Sequence, residues 1–276
     1  MIAFPPCKIN LGLYVTEKRD DGFHNLETCF YPVPFFDILE IIPADEFQFS
    51  SSGLLIPGKS SDNLCVKAYL MLKEKFNLPP VRIHLHKVIP TGAGLGGGSA
   101  DAAYTLRLLN DIFSLDLTTE TLKAYAAQLG SDCSFFVSDM PMIGTGRGEI
   151  LNPCNVDLGS KYLVLVKPDA HVSTADAYRG ITLRKNDLPL KETVEQVPVA
   201  EWRGKLRNDF EESIFRRFPI VGQLRDELYQ LGATYAFMSG SGSTVAGLFD
   251  KAIPVSTVRN VPVLWKGLLP SISSAS

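Results

Sequence analysis

An α+β fold in two domains is what this chain predicts, and three observations carry that expectation. Short alternating strands cluster before the stretch Pro90–Ala100 and again after Tyr162. Runs with helical spacing separate them rather than alternating with them one for one. The 276 residues suit one large domain or two modest ones, and a turn-rich stretch near Asn152–Ser160 is the candidate boundary, giving 1–156 and 157–276.

The elements follow in order. Cys7–Thr16 alternates, with Ile9, Leu11, Leu13 and Val15 on one face and Lys8, Asn10, Gly12 and Tyr14 on the other. Asp20-Asp21-Gly22 is a turn, and Asn25–Val33 and Asp37–Ile42 read as strands, so the first quarter looks like an antiparallel meander. Asn63–Phe76 has helical spacing through Leu64, Ala68 and Leu72. Val81–Val88 is a strand whose Val81, Ile83 and Leu85 alternate with Arg82, His84 and His86. Ala100–Phe113 is a helix, and Thr118 or Thr119 caps a second one that Gly130 stops. In the second half Tyr162–Val166 is an apolar strand. Helical stretches cover Trp202–Arg217 and Ile220–Leu231. The strands Tyr235–Ser239 and Thr244–Phe249 flank a turn, Ser239-Gly240-Ser241-Gly242-Ser243. The serine-rich end, Ser271–Ser276, reads as a frayed tail.

Composition narrows the function classes. Net charge is −3 with no basic stripe, which disfavours nucleic acid and anionic membrane as partners. No apolar run approaches the ~20 residues of a membrane span, and the N-terminus has no signal-peptide pattern. The five cysteines are odd in number and widely spaced without Cys-x-x-Cys. That pattern points away from a disulfide framework or zinc and toward a reducing cytoplasm.

The most informative stretch is Pro90-Thr91-Gly92-Ala93-Gly94-Leu95-Gly96-Gly97-Gly98-Ser99-Ala100. Glycines let consecutive N–H groups face one anion, and a helix N-terminus behind them adds its dipole. Gly92-x-Gly94-x-x-Gly97 matches a dinucleotide fingerprint, with Asp116 near the acidic spacing. Yet the preceding strand alternates with arginine and histidine instead of reading as a buried apolar run. No Lys-Ser or Lys-Thr follows the last glycine, which removes the P-loop reading. His-Arg-Asp and Asp-Phe-Gly are missing, which removes protein kinases. A phosphate loop without its own lysine needs charge from elsewhere. The chain offers Lys8, on the strand face shared with Asn10, and Asp132, just past a helix stop and before Phe135-Phe136. Spacing alone leaves open the plainer alternatives, an edge-strand lysine and a helix-capping aspartate.

The loop resembles the ATP loop of the GHMP kinases, the small-molecule kinases of galactose, homoserine, mevalonate and phosphomevalonate. An ordered set sharpens the resemblance: Cys7-Lys8-Ile9-Asn10-Leu11, Asp21-Gly22-Phe23-His24, Asp62-Asn63-Leu64, the loop, Leu129-Gly130-Ser131-Asp132, Gly146-Arg147-Gly148-Glu149, Val172-Ser173-Thr174 with Tyr178, and Ser239-Gly240-Ser241-Gly242. It is similar to the branch that phosphorylates the 2-hydroxyl of a CDP-linked methylerythritol in the non-mevalonate isoprenoid route. A mevalonate- or homoserine-type kinase is the alternative.

The resemblance implies an N-terminal ribosomal-protein-S5-domain-2-like domain, a C-terminal ferredoxin-like α/β sandwich, and an active site in the cleft between them. It implies ATP with Mg²⁺, a small-molecule acceptor, a cytoplasmic enzyme, and a monomer or weak homodimer. Asp132 would be the catalytic base and Lys8 the catalytic lysine that offsets charge on the transferring phosphoryl group. Pro90, Thr91, Gly92, Ala93, Gly94, Leu95, Gly96, Gly97, Gly98, Ser99 and Ala100 would hold the ATP phosphates. Asn63, Leu64 and Lys87 would line the adenine pocket. Asn10 would orient the reacting end of the acceptor. His24 would read cytosine, Tyr178 and Phe23 would stack on it, and Thr174 and Gly240 would lie at the acceptor site. No metal ligand is assigned beyond a possible approach by Ser99.

Two residues depart from the family pattern. Phe23 stands where tyrosine is common, which keeps the stack and drops a hydroxyl. Ser134 stands where proline or a small apolar residue is common. Three other groups keep their plain readings: His84 and His86 as an exposed strand face, and Cys133 as a buried thiol.

Overall fold

The structure is a computed structural model. It describes residues 1–179, 181 and 188–272, and of Thr174 the backbone alone. The strands β1 (Ile2–Ala3), β2 (Pro6–Lys18), β3 (His24–Phe36), β4 (Ile38–Pro43) and β5 (Gln48–Gly53) come first. Helix α1 (Leu64–Phe76), strand β6 (Val81–Lys87) and helices α2 (Gly97–Ile112) and α3 (Thr119–Leu129) follow. Then come β7 (Met142–Thr145), β8 (Ile150–Pro153), β9 (Tyr162–Val166), α4 (Thr174–Arg179) and α5 (Leu190–Gln196). Helices α6 (Glu211–Arg217) and α7 (Pro219–Gln230) precede β10 (Tyr235–Met238), β11 (Val245–Phe249), β12 (Thr257–Val258) and β13 (Val261–Leu268).

These elements form two compact units, neither of them one stretch of chain. The first is Met1–Lys8, Phe35–Thr91 and Gly96–Asp139; the second is Ile9–Pro34, Gly92–Leu95 and Met140–Ser276.

In the first unit a sheet runs β1-β4-β6-β5. β4 is antiparallel to β6, with Ile41 opposite Ile83, and β5 is parallel to β6, with Phe49 opposite Ile83. Helices α1, α2 and α3 pack on one another, and α2 packs on β4. Helix α1 starts where Asn63 accepts a hydrogen bond from Cys65 N, and it buries Cys65, Val66, Ala68, Tyr69 and Leu72 along one stripe. Thr118 caps α3 in the same way through Thr121 N, and Gly130 ends it.

In the second unit one sheet runs β2-β3-β7-β8 and another β10-β11-β9-β13-β12. Val164, Val166, Val245, Ala236 and Met238 of the second sheet share a core with Ile214, Val221, Leu224 and Leu228 of α6 and α7. Leu13 and Val15 of β2 join that core.

Several expectations change. The first-quarter strands are not one meander, because β2 and β3 join a different sheet from β4 and β6. Alternation says which side chains share a face, not which sheet a strand enters. Both faces of β2 are covered, including the polar one that carries Lys8 and Asn10: every residue from Pro6 to Val15 is buried. The helix expected over Trp202–Arg217 is confined to Glu211–Arg217; the preceding residues include Asn208, whose amide is spent on other backbone. Strands β1, β5, β7, β8, β12 and β13 lay outside the sequence reading. Residues 273–276 of the expected tail lie outside the described residues.

Candidate active site

The glycine loop is continuous with its helix. Helix α2 begins at Gly97, three residues before the expected start at Ala100. Its first closing bond runs from Ala100 N to Gly96 O at 2.9 Å. Helix geometry therefore leaves the N–H groups of Gly97, Gly98 and Ser99 without an intrahelical acceptor, at the positive end of a 16-residue dipole. A Cβ on Gly98 would meet nothing within 4 Å, so that side of the turn is open to an anion. A Cβ on Gly97 would fall 2.8 Å from Ile89 and 2.9 Å from Lys87 Nζ, so its other side is filled. Glycine is there because the helix start lies directly on the strand below it.

Lys8 reaches this helix start. A Cβ on Gly96 would lie 3.1 Å from Lys8 Cε. The Lys8 ammonium is 3.3 Å from Asp132 Oδ2, with the lysine side chain 4% exposed and the aspartate side chain 33% exposed. Asp132 is set by the chain reversal after α3, where Cys133 N donates to Gly130 O and the Ser134 hydroxyl donates to Lys123 O at 3.0 Å. Ser134 thus secures the local backbone with a side-chain bond that proline could not supply. Phe135 and Phe136, both fully buried, anchor the next turn. Burial pushes the Cys133 thiol up to about 12, although the Ser99 hydroxyl pulls it down, so it stays a protonated structural thiol.

Lys87 has a different setting. Its ammonium bonds Asp37 and also Asp101 Oδ2, the latter at 2.7 Å, and all three residues are buried. Asp37 Oδ1 accepts from Val88 N and Ile89 N at 2.6 and 2.8 Å. The cluster therefore ties the end of β6 to α2 at Asp101. The Lys87 side chain underlies the loop and is closed off from solvent. Asn63 spends its side chain capping α1, and Leu64 beside it is half-buried.

Pro90 and Thr91 belong to the first unit, and the second holds the remaining residues. Gly94, at φ +78°, lies so close to the Ser239 carbonyl that any Cβ would overlap it. Ser239 Oγ donates to Gly94 O at 2.9 Å, and Thr244 N donates to Ala93 O at 3.3 Å. The second glycine turn therefore packs against Gly92–Leu95. Asn208 clamps that turn by donating from Nδ2 to Met238 O and Gly240 O at 2.9 and 2.7 Å.

Asn10 is buried beside it and donates from Nδ2 to Thr28 Oγ1 at 2.9 Å. The His24 ring stacks on Tyr178 with centroids 4.8 Å apart, and Tyr178 meets Phe210 edge-on at 4.9 Å. Phe23 is exposed, with the Arg147 guanidinium 5.0 Å from its ring centre. The backbone of Thr174 opens α4; its side chain lies outside the described residues.

The structure thus joins Lys8, Asp132 and Gly96–Ser99 in one unit. In the other it joins Asn10, Gly92–Leu95 and Gly240, and separately His24 and Tyr178. His84 and His86 are occupied by Ser50 and Ser52 hydroxyls at 2.8 to 2.9 Å, as an ordinary strand face. Among the described residues no group of three His, Cys, Asp or Glu is placed to hold a metal. Sequence reasoning missed Asp37, Asp101, Thr28 and Asn208. Asp101 lay directly after the loop, and its spacing gave no hint of a partner; the other three carry no local signal.

Comparisons with known proteins agree with this geometry. Residues 63–143 match the GHMP kinases N terminal domain and residues 198–261 the GHMP kinases C terminal domain. The chain is 53% identical over 254 residues to a 4-diphosphocytidyl-2-C-methyl-D-erythritol kinase of Bacteroides fragilis, covering 91% of this chain and 92% of that one. It is 49% identical over 271 residues to the enzyme of that name from Parabacteroides distasonis, covering 98% and 100%. A crystal structure of a 4-(cytidine 5'-diphospho)-2C-methyl-D-erythritol kinase superposes with a TM-score of 0.77 at 34% identity, over 90% of each chain. The chain is a small-molecule kinase of the GHMP family and belongs to its 4-diphosphocytidyl-2-C-methyl-D-erythritol kinases.

Proposed function

We propose that this protein transfers the γ-phosphoryl group of ATP to the 2-hydroxyl of 4-diphosphocytidyl-2-C-methyl-D-erythritol, a step of non-mevalonate isoprenoid synthesis. The observation that carries the reading is the meeting of the Lys8–Asp132 pair with the start of α2 at Gly96. One position then offers a carboxylate to take the hydroxyl proton, an ammonium to offset charge, and a row of N–H groups for the phosphates. Asp132 accepts the proton as the 2-oxygen bonds to the γ-phosphorus and the bond to the β,γ-bridging oxygen breaks, releasing ADP. Lys8 lies beside both the carboxylate and the loop, where charge develops on the transferred group. Gly97, Gly98 and Ser99 bind phosphate oxygens through backbone N–H groups.

Mg²⁺ would arrive with ATP and neutralise phosphate charge. With no group of three metal-ligating side chains among the described residues, the metal would be held mainly by the nucleotide, and Ser99 at the head of α2 is the loop hydroxyl that could approach it. Lys87 acts by anchoring β6 beneath the loop, and Asn63 by capping α1 at the adenine side. His24 on Tyr178 supplies a polar ring edge and a flat face, the two features a cytosine needs; Phe23 adds exposed aromatic surface, and Thr174 and Gly240 belong to the acceptor side. Asn10 orients the reacting end of the acceptor.

We place the two family domains on either side of 156–157, in the irregular stretch between β8 and β9. We place the enzyme in the cytoplasm as a monomer or weak homodimer. Support for the compartment is that all five cysteines are buried free thiols. Among the described residues, no helix is long and apolar enough to cross a membrane.

The test is ADP release by purified protein with the CDP-linked acceptor, mevalonate and homoserine offered separately. Turnover with the CDP-linked acceptor alone is expected. Turnover with mevalonate or homoserine but not with that acceptor overturns the reading.

A further inference from the structure

We propose that Thr28 and Ser239 are positioning residues that hold Asn10 through two buried hydroxyl relays, and that the Ser239 relay also holds the ATP loop. Both hydroxyls are buried, with Thr28 1% and Ser239 0% exposed, and Asn10 between them is 2% exposed.

The proton count fixes the direction of each relay. Thr28 Oγ1 lies 2.6 Å from the Gly12 carbonyl, which can only accept, so the single hydroxyl proton goes there. Thr28 must then receive its second bond, from Asn10 Nδ2 at 2.9 Å. This settles the orientation of the Asn10 amide: the NH₂ end is turned to Thr28 and the carbonyl oxygen to the other side. Ser239 repeats the logic on the backbone. Its proton goes to Gly94 O at 2.9 Å, so its lone pair accepts from Asn10 N at 3.2 Å.

Ser239 itself is fixed. Its N–H donates to Thr244 O at 2.9 Å, and Asn208 grips the carbonyls on either side, Met238 O and Gly240 O. One serine therefore touches three segments: the strand bearing Asn10, the glycine loop at Gly94, and the second glycine turn. Thr28 touches only the first. The two residues should consequently separate in kinetics. Thr28 governs how Asn10 presents its amide to the acceptor. Ser239 governs both Asn10 and the placement of the loop that binds ATP.

This inference rests on the proposed role of Asn10 at the acceptor. The experiment compares Thr28→Val, Thr28→Ser and Ser239→Ala with wild type, each checked for an unchanged circular dichroism spectrum. It measures KM for ATP and for the CDP-linked acceptor, together with hydrogen exchange of the Asn10 side-chain amide in the ligand-free protein. Thr28→Val is expected to raise the acceptor KM about tenfold, the loss of one net hydrogen bond, with the ATP KM unchanged. Thr28→Ser is expected to restore the acceptor KM, which a purely structural role for the methyl group would not produce. Ser239→Ala is expected to raise both KM values.

Wild-type acceptor and ATP KM values in Thr28→Val and Ser239→Ala respectively would overturn the proposal. If wild type does not use the CDP-linked acceptor, the functional reading falls, and amide exchange still decides the Thr28 relay: faster exchange in Thr28→Val than in Thr28→Ser supports it, and equal exchange refutes it. If Thr28→Val fails to fold, Thr28→Ala takes its place in both measurements, with the same outcomes deciding.

Discussion

Two lysine–aspartate clusters sit in the same compact unit, and they are built for opposite ends. Lys87 is locked between Asp37 and Asp101, with side-chain exposures of 2%, 0% and 3%. Lys8 is as buried as Lys87, but its partner Asp132 keeps a third of its side chain exposed. Residue type does not separate the two; access does. In the closed cluster the Lys87 ammonium is spent on tying β6 to α2. In the open pair the carboxylate can still meet a substrate hydroxyl.

The clusters also differ in charge count. One ammonium beside two carboxylates leaves a surplus negative charge without water. Burial, opposed by Lys87 and reinforced by Asp37, pushes the Asp101 carboxyl up to about 7. For Lys87, burial alone would lower the pKa, but the attraction of Asp101 and Asp37 outweighs it and holds the ammonium above its ordinary value.

Replacing Asp132 with Asn should have the largest effect of the substitutions that probe this contrast. It removes the base and leaves the loop, so turnover should fall by about 10²–10⁴-fold while ATP binding persists. Single-turnover kinetics beside a nucleotide-binding titration measures both. Turnover near that of wild type would remove Asp132 from the base role and, with it, the contrast.

Next comes Lys87→Met. Removing the cation strands two carboxylates in a closed site, so stability should drop by about 3–5 kcal/mol, against ~1 kcal/mol or less for Asp132→Asn. Urea unfolding of both variants tests this. Similar losses in the two would mean that the closed cluster holds nothing the open pair does not.

The smallest effect is a slope in pH. Folded Asp101 keeps its proton to about 7, whereas the unfolded chain releases it near the ordinary 3.8. Between those values the native state binds more protons, so stability should decline as pH rises through that window and level off above it. Asp101→Asn should flatten this decline. A slope unchanged in that variant would assign the titration to another group, of which the buried Glu211, also pushed up to about 7 by burial, is the foremost.

Much of the site was legible because it is local. The loop Pro90–Ala100, the turn ahead of His24 and the cap at Thr118 depend on residues within a few positions of one another. Glycine spacing, turn chemistry and capping are properties of short segments. Lys8 and Asp132 were legible only as residue types in plausible places; that they lie 3.3 Å apart was not legible. The helix start moved from Ala100 to Gly97 because glycine's low helix propensity hid a turn that packing on Ile89 and Lys87 enforces.

What was not legible depends on sequence-distant partners. Lys87 lay next to the loop and read as a nucleotide contact; nothing local to it pointed to Asp37, 50 residues earlier. Thr28 and Ser239 read as a strand residue and a turn residue, and their roles exist only because three segments of the second unit meet at Asn10.

By itself the sequence determined the periodicities, the caps, the glycine loop and an ordered set of motifs specific enough to name a family. Those are encoded in the spacing of neighbours, which the chain carries whether or not it is folded. The tertiary structure alone decided which sheet each strand joins, which lysine is spent on structure and which stays beside an open carboxylate, and which way the Asn10 amide faces. Burial and hydrogen-bond direction are set by groups that meet only on folding, and those are the quantities on which the chemistry of this site depends.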